Sequence, residues 1–302
     1  MRRVKGCLVA GFLAAYAVGP GAGAAPRELA RPELSIVVAD DGEATRKVVA
    51  DLRRRFPHAA VVDSKGSAAR HALAIAVGPA AMRALVAEGG TNPVVSVFTS
   101  SQVYRSILDA AGSHRTPTTA IYAEPAPSAQ LRLINLLFKR PVRTTVVLGG
   151  RTSFLEPALQ HAAATAKVPL VVESYGINDS ISRVLSRAVD SPAILAVPDS
   201  LVYTNENLRT VLLTTYRNGQ AVIGFSAALV RAGALATTYS EVEDVDAQLE
   251  EIVADIDGAR LPDPQFPKYF RTVVNEDVAR SLNLVVDDAV RNFANKPPVV
   301  KP

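Results

Sequence analysis

The feature that most constrains the fold is a repeated alternation of short apolar runs with helix-like stretches. The run from Leu34 to Ala39 is almost wholly apolar, and four apolar residues after it recur at a spacing of four, namely Ala44, Val48, Leu52 and Phe56. Strands without polar alternation are buried on both faces, which is typical of parallel sheets covered by helices. The sequence therefore predicts an α/β fold.

The alternation continues along the chain and restarts near residue 119. The predicted strands cover residues 34–39, 59–62, 72–77, 94–98, 119–122, 144–148, 169–172, 193–197, 221–225 and 271–274. Most of them are followed by a helical pattern. Two successive units of this kind predict two similar, Rossmann-like α/β lobes with parallel sheets.

The N-terminus has the pattern of a secretory signal peptide. Three basic residues among the first five precede the apolar run from Leu8 to Val18, and Ala22-Gly23-Ala24 offers small residues for cleavage. The run is shorter than the roughly 20 residues that span a bilayer. We therefore expect residues 1–24 to be removed and the mature protein to reside in the periplasm.

The composition of the remaining chain narrows its possible partners. Cys7 is the single cysteine and precedes the apolar run, so the mature chain can form no disulfide. Removing the signal peptide leaves 30 basic residues against 29 acidic ones. This balance gives no reason to expect binding to nucleic acid, and no later stretch has the length and apolarity of a membrane helix.

Motifs of common enzymes and cofactor sites are absent from the sequence. It contains no Gly-x-Ser-x-Gly, no Gly-x-x-x-x-Gly-Lys and no Gly-x-Gly-x-x-Gly after a strand. The four histidines lie singly, at His58, His71, His114 and His161. We therefore expect no cofactor, no metal site and no enzymatic activity.

Polar and aromatic residues are concentrated where the predicted strands end, which is where ligands bind in open parallel sheets. These residues are Gly78, Pro79, Phe98, Thr99, Ser100, Thr152, Ser153, Tyr175, Asp199, Ser200, Tyr203, Phe225 and Ser226. Hydroxyls beside free amides of a helix N-terminus suit a carboxylate. Asp199 suits an ammonium group, and the aromatic rings suit an apolar slot. The set predicts a site for an amino-acid-like molecule.

A purely structural role is the alternative for these residues. Ser, Thr and Asp after a strand are also the commonest helix caps, and Tyr203 and Phe225 are equally suited to the core. For most single residues the two interpretations are balanced. For Asp199 ligand contact is the preferred interpretation.

Several segments resemble one known family. The most specific is AVPDSLVYTNENLRTVLLTTYRNGQAVIGFSAALVRAGALA (Ala196–Ala236). AIAVGPAAMRAL (Ala74–Leu85), VVSVFTSSQ (Val94–Gln102), PSAQLRLI (Pro127–Ile134) and FRTVVNEDVARSLNL (Phe270–Leu284) resemble it more loosely. The sequence thus resembles the substrate-binding proteins of ABC transporters, of the tryptophan/tyrosine type.

The resemblance implies the type I periplasmic binding protein architecture, with two lobes hinged by three crossovers. Lobe one would hold residues 25–120 and 228–262, and lobe two residues 121–227 and 263–302. Gly78, Pro79, Thr99 and Ser100 would face the cleft from lobe one, and Thr152, Ser153, Asp199 and Ser226 from lobe two. Asp199 falls at the family's Pro-x-Asp carboxylate. The implied protein is a monomer that delivers a small molecule to an ABC permease and ATPase complex.

Two loops depart from the family pattern. Ser100-Ser101-Gln102 stands where an Asp-Pro pair usually follows strand four, and Gly149-Gly150-Arg151 begins a shorter loop. Arg151 would admit an acidic or phosphorylated ligand. These departures leave open a second hypothesis, a ligand-sensing or ligand-free interaction protein that partners a periplasmic sensor or envelope complex.

Overall fold

The structure, a computed structural model, describes residues 34–64, 72–112, 116–256 and 260–298. The predicted signal peptide, residues 1–24, lies outside these ranges, as do His71 and His114. Among the residues described, no helix has the length and apolarity needed to cross a membrane.

Two sheets organise the chain. Strands β1 to β5 are Leu34–Val38, Ala60–Asp63, Leu73–Val77, Val94–Thr99 and Thr118–Tyr122, and they form a parallel sheet in the order β2-β1-β3-β4-β5. Strands β6 to β11 are Thr144–Gly149, Leu170–Tyr175, Ala193–Leu195, Ala221–Ile223, Ala236–Tyr239 and Arg271–Val274. They form a second sheet in the order β11-β10-β9-β8-β6-β7.

Helices follow most of the strands. Helices α1 to α5 are Glu43–Arg55, Gly78–Glu88, Ser101–Ala111, Pro127–Phe138 and Glu156–Ala166. Helices α6 to α11 are Ile181–Arg187, Asn205–Arg217, Ala227–Arg231, Val242–Asp255, Glu276–Ser281 and Asp288–Arg291. One turn of 3₁₀ helix, Ser153–Leu155, precedes α5.

The first sheet is covered on both faces because its strands are apolar at successive positions. Val37 and Ala76 contact α2 and α3 through Met82 and Ile107, in one cluster of buried side chains. Ile36, Ile75 and Val97 point to the other face, where they pack with Leu52 of α1 and Leu249 of α9. Adjacent strand residues alternate between faces, so an uninterrupted apolar strand needs helices on both sides.

The second sheet has the same construction. On one face Val146, Leu195 and Ile223 pack against Leu133 of α4 and Leu159 of α5. The opposite face carries Val147, Ile194 and Val222, which lie with Val184 of α6 and Val211 of α7. The prediction of two Rossmann-like α/β lobes is therefore confirmed.

Three segments connect the two sheets, and their positions bear on the predicted lobe boundaries. The chain passes between the sheets from β5 to α4, from β10 to α9, and from α9 to β11. The lobe boundary suggested by the resemblance put residues 228–262 together in lobe one. In the structure β10 pairs with β9 in the second sheet, whereas α9 packs on the first. The second crossover therefore lies between Tyr239 and Val242.

The sheets differ from the sequence prediction in three further details. Strand β10 was not predicted, and β11 runs antiparallel to it at the sheet edge. Strands β8 and β9 end at Leu195 and Ile223, two residues earlier than predicted. The residues after them belong to the loops that carry the predicted site.

Candidate functional site

The carboxyl ends of the two sheets face each other across a cleft. Ser200, in the loop after β8, donates its backbone N–H to Oε1 of Gln102 on α3, at 3.2 Å. The guanidinium of Arg105, also on α3, lies 4.4 Å from the centre of the Phe154 ring beyond β6. Strand ends from both sheets thus come together, as expected for this class of fold.

Asp199 is engaged by the protein's own donors. Its Oδ1 accepts from the N–H groups of Leu201 and Val202 at 2.8 and 3.1 Å. Its Oδ2 accepts from Gly149 N at 2.9 Å and from the Thr152 hydroxyl. The side chain is buried, and we call this carboxylate with its four donors the Asp199 clasp. Its geometry favours a structural role over the predicted contact with a ligand ammonium.

The Asp199 clasp also explains the glycine at the end of β6. A Cβ added to Gly149 would stand 2.7 Å from Asp199 Oδ2, closer than a Cβ approaches another heavy atom in folded proteins. Thr152 is fully buried, and its hydroxyl also accepts from Gly149 N at 3.1 Å. The predicted site residue Thr152 therefore joins two loops of the second lobe.

The N-terminus of α3 already holds a carboxylate. Both oxygens of Glu124 accept from the Ser101 N–H, at 3.0 and 3.1 Å, and Oε1 also accepts from the Ser101 hydroxyl. Burial raises the pKa of Glu124, while the hydrogen bonds from Ser101 act in the opposite direction. A ligand carboxylate predicted beside Thr99 and Ser100 would compete with this side chain.

Other predicted hydroxyls serve as caps or bond within their own lobe. Ser100 accepts from Val103 N at 3.4 Å and Ser226 from Leu229 N at 3.2 Å, as helix N-caps do. The buried Thr99 lies 3.1 Å from the hydroxyl of Ser96, and the exposed Ser153 donates to Gly150 O.

Tyr175, at the end of β7, is also bonded within the second lobe. Its side chain is buried, and its hydroxyl accepts from Nδ2 of Asn207 on α7 at 3.2 Å.

Tyr203 differs from these residues because its hydroxyl is buried without a hydrogen-bond partner in the described part of the chain. The ring packs edge-to-face on Phe225, with 5.7 Å between centroids. Burial and the nearby Asp199 carboxylate both raise the pKa of this phenol. Nearly all buried polar groups in folded proteins are hydrogen-bonded, so this hydroxyl is an exception among the cleft residues.

Two predicted site residues of the first lobe have positive φ angles. Phe98 has φ of 57°, a left-handed conformation that is costly for a bulky residue, and it lies where the register of β4 and β5 shifts. Gly78, with φ of 80°, begins α2, and Pro79 follows it in the first turn. No side chain caps this helix N-terminus, so its predicted availability to a ligand stays a prediction.

Gln102 lies at the same strand ends but is not among the residues that the sequence predicts for the site. Gln102 is 6% exposed, and its Nε2 has no partner among the residues described. Its position two residues after Ser100, in the first turn of the helix that follows β4, was the available signal. Glu124, two residues after the end of β5, is not among the predicted site residues either.

Solved structures resemble the chain along most of its length. CD0873 from Clostridium difficile, described as a ligand-free, open substrate binding protein with adhesive properties, has 15% identity and a TM-score of 0.63, covering 88% of this chain and 100% of its own. An "ABC domain in complex with L-Trp" from Streptococcus pneumonia has 12% identity and a TM-score of 0.56 (88% and 99%). A conserved domain protein from Vibrio cholerae has 17% identity and a TM-score of 0.54 (87% and 98%).

The similarity is one of fold. The chain has the type I periplasmic binding protein fold. No protein-family model and no curated protein sequence matches it. At these sequence identities, a shared architecture does not show that two proteins bind the same ligand.

Proposed function

We propose that this protein is a periplasmic solute-binding protein that captures a small molecule between its lobes and delivers it to an ABC importer. The observation that carries the proposal is the meeting of strand ends from two sheets, with polar atoms there that lack partners. Tyr203 Oη and Gln102 Nε2 are both buried and unbonded within the described ranges. A bound solute would supply what these atoms lack.

The proposed ligand is amino-acid-like, and its capture involves no chemical step. The resemblance to the tryptophan/tyrosine-type binding proteins supports this ligand class, as does the edge-to-face pair of Tyr203 and Phe225. Ligand contacts made only in the closed state would draw the lobes together about the three crossovers. We expect the protein to act as a monomer after cleavage of residues 1–24.

A thermal-shift screen of the refolded, ligand-stripped protein tests the proposal. The panel contains amino acids, aromatic ones first, then other carboxylates, purines and short peptides. A molecule that binds the native state alone raises the melting temperature by mass action. Small-angle scattering of the hit should show a more compact particle. If no panel member alters melting or compactness, the solute-binding proposal fails.

Two tyrosine variants test whether a ligand found in the screen contacts Tyr203. Tyr203→Phe removes the unbonded buried hydroxyl and should leave the free protein as stable or up to about 1 kcal/mol more stable. It should also reduce the shift produced by the hit. Tyr216→Phe, on the exposed surface of α7, is the matched control and should change neither quantity. An unchanged ligand response in Tyr203→Phe would remove Tyr203 from the proposed site.

A second candidate function is a ligand-free or ligand-sensing interaction protein that partners a periplasmic sensor or envelope complex. The observation in its favour is that the protein's own groups occupy much of the predicted site. Asp199 has four internal donors, and Glu124 occupies the N-terminus of α3. This candidate predicts that no panel member raises the melting temperature. It also predicts that the folded chain, but not the unfolded chain, retains a specific protein from periplasmic extract.

A further inference from the structure

An opening lies beside the strand ends, between α2 and α3 of the first lobe, and Gln102 and Ser200 help to line it. It has a volume of about 510 Å³, within the usual range for a small-molecule site. Val86, Ile107 and Ala110 contribute apolar lining from the two helices. Arg151 and Ser200 contribute to it from the second lobe. Of its lining residues, Ser200 alone belongs to the predicted site.

Two arginines line this opening without a counter-charge. Arg83 on α2 and Arg151 after β6 form no hydrogen bond and no ion pair with any residue that the structure describes, and both are exposed. No Asp or Glu is among the residues that line the opening. Two guanidinium groups on one cavity attract an anion, because each presents paired N–H donors that match carboxylate geometry.

Gln102 supplies an independent observation that points to a ligand. Its side chain is more than nine-tenths buried and lines the same opening. Its Oε1 accepts from Ser200 N, which fixes the amide orientation and leaves Nε2 as a donor without a partner in the described residues. A buried N–H donor in this position calls for an acceptor oxygen.

We propose that this opening binds a small organic carboxylate with a compact apolar body. The carboxylate would be held by Arg83 and Arg151, and an acceptor atom would meet Gln102 Nε2. The hydrocarbon part would lie on the Val86 and Ile107 walls, which favour it over a strongly hydrated ion such as phosphate. The inference rests on the proposed function, because it narrows the class of solute that the protein would capture. It places the anion-binding groups on the rim of the cleft.

Calorimetric titration with a series of monocarboxylates and their uncharged amides tests the site. The series runs from acetate through 4-methylpentanoate to 3-phenylpropionate, and inorganic phosphate is a separate arm. We expect at least one apolar carboxylate to bind at least tenfold more tightly than its amide. Arg83→Gln and Arg151→Gln should each weaken this binding about tenfold, as loss of a charge-assisted hydrogen bond does.

The controls separate this site from the proposed function. Arg209→Gln changes an exposed arginine of α7 with no described partner and should leave binding unchanged. The inference is overturned if no carboxylate outbinds its amide, if phosphate binds as tightly, or if the two arginine variants bind normally. A solute that compacts the protein yet ignores both arginines would overturn the inference and leave the proposed function intact. Arginine-dependent binding without compaction would support the inference and contradict the proposed function.

Discussion

Replacing Asp199 with alanine should destabilise the protein before any ligand is considered. The carboxylate accepts from the N–H groups of Gly149, Leu201 and Val202 and from the hydroxyl of Thr152. It is 4% exposed, so water does not replace it freely. Removing it leaves these donors in a buried space where the loops after β6 and β8 meet.

The magnitude follows from the number of donors left behind. A hydrogen bond to a charged group contributes about 1.5–3 kcal/mol, and an unsatisfied buried donor costs about 1–3 kcal/mol. The four contributions are not additive, because a water can enter the vacated space and serve two of the donors. We expect a loss of about 4 kcal/mol, which lowers the melting temperature of a protein of this size by roughly 10 °C.

Urea and thermal unfolding followed by circular dichroism provide the assay, with Asp179→Ala as the matched control. Asp179 also accepts from a glycine N–H, that of Gly176 at 2.8 Å, but this hydrogen bond is exposed. Its loss should cost at most about 1 kcal/mol. Asp199→Asn retains one acceptor oxygen and should fall between wild type and Asp199→Ala.

One result would refute the structural role of the Asp199 clasp. Suppose that the free energy of unfolding of Asp199→Ala lies within about 1 kcal/mol of that of the Asp179→Ala control, and that the variant no longer responds to an amino-acid ligand. Asp199 would then contact the ligand directly. The preferred interpretation of the sequence would then be the correct one. A destabilised variant that still responds to ligand would establish the clasp.

Two further predictions concern the buried polar side chains of Gln130 and Asp246. Gln130→Leu should cost about 3 kcal/mol in urea unfolding, because it abandons Thr238 N and Gly224 O, whereas the exposed Gln160→Leu should cost little. Asp246→Asn should raise stability by about 2 kcal/mol at pH 8 and leave it unchanged at pH 4. Burial raises the pKa of Asp246 from 3.8 to about 7, so the wild-type protein loses stability as pH rises through this interval. Parallel pH–stability curves for the wild type and the asparagine variant would contradict this.

The two sheets could be predicted because most of their strands are uninterrupted apolar runs in the sequence. Strand β10 could not be predicted in this way. Strand β10 is Ala-Thr-Thr-Tyr, and three of its four residues are buried. Alanine and threonine give it little of the apolar signal that marks the other strands. Its position also follows from pairing with β9, a contact that local pattern does not encode. The misplaced lobe boundary at residue 228 has the same cause.

The residues of the cleft could be predicted by position, whereas their partners could not. Strand ends are fixed once a parallel sheet is assigned, so the sequence could place Asp199 and Tyr203 in the loop that follows β8. The donors of Asp199 include Gly149, 50 residues earlier in the chain, and Glu124 reaches back 23 residues to Ser101. A carboxylate after a strand has the same sequence signature whether it caps a loop or binds a solute.

Satisfied and unsatisfied polar atoms divide the cleft residues into two groups with different consequences. Asp199 and Glu124 hold the loops of their own regions and fix the positions of neighbouring groups, as supporting residues do in preorganised sites. Tyr203 Oη and Gln102 Nε2 have no such bonds within the described chain. Because Gln102 Nε2 can only donate, a solute that satisfies it must bring an acceptor oxygen. The unpaired atoms, more than the buried carboxylates, would therefore decide the chemistry of the proposed solute, which must carry an acceptor atom and reach α3 of the first lobe.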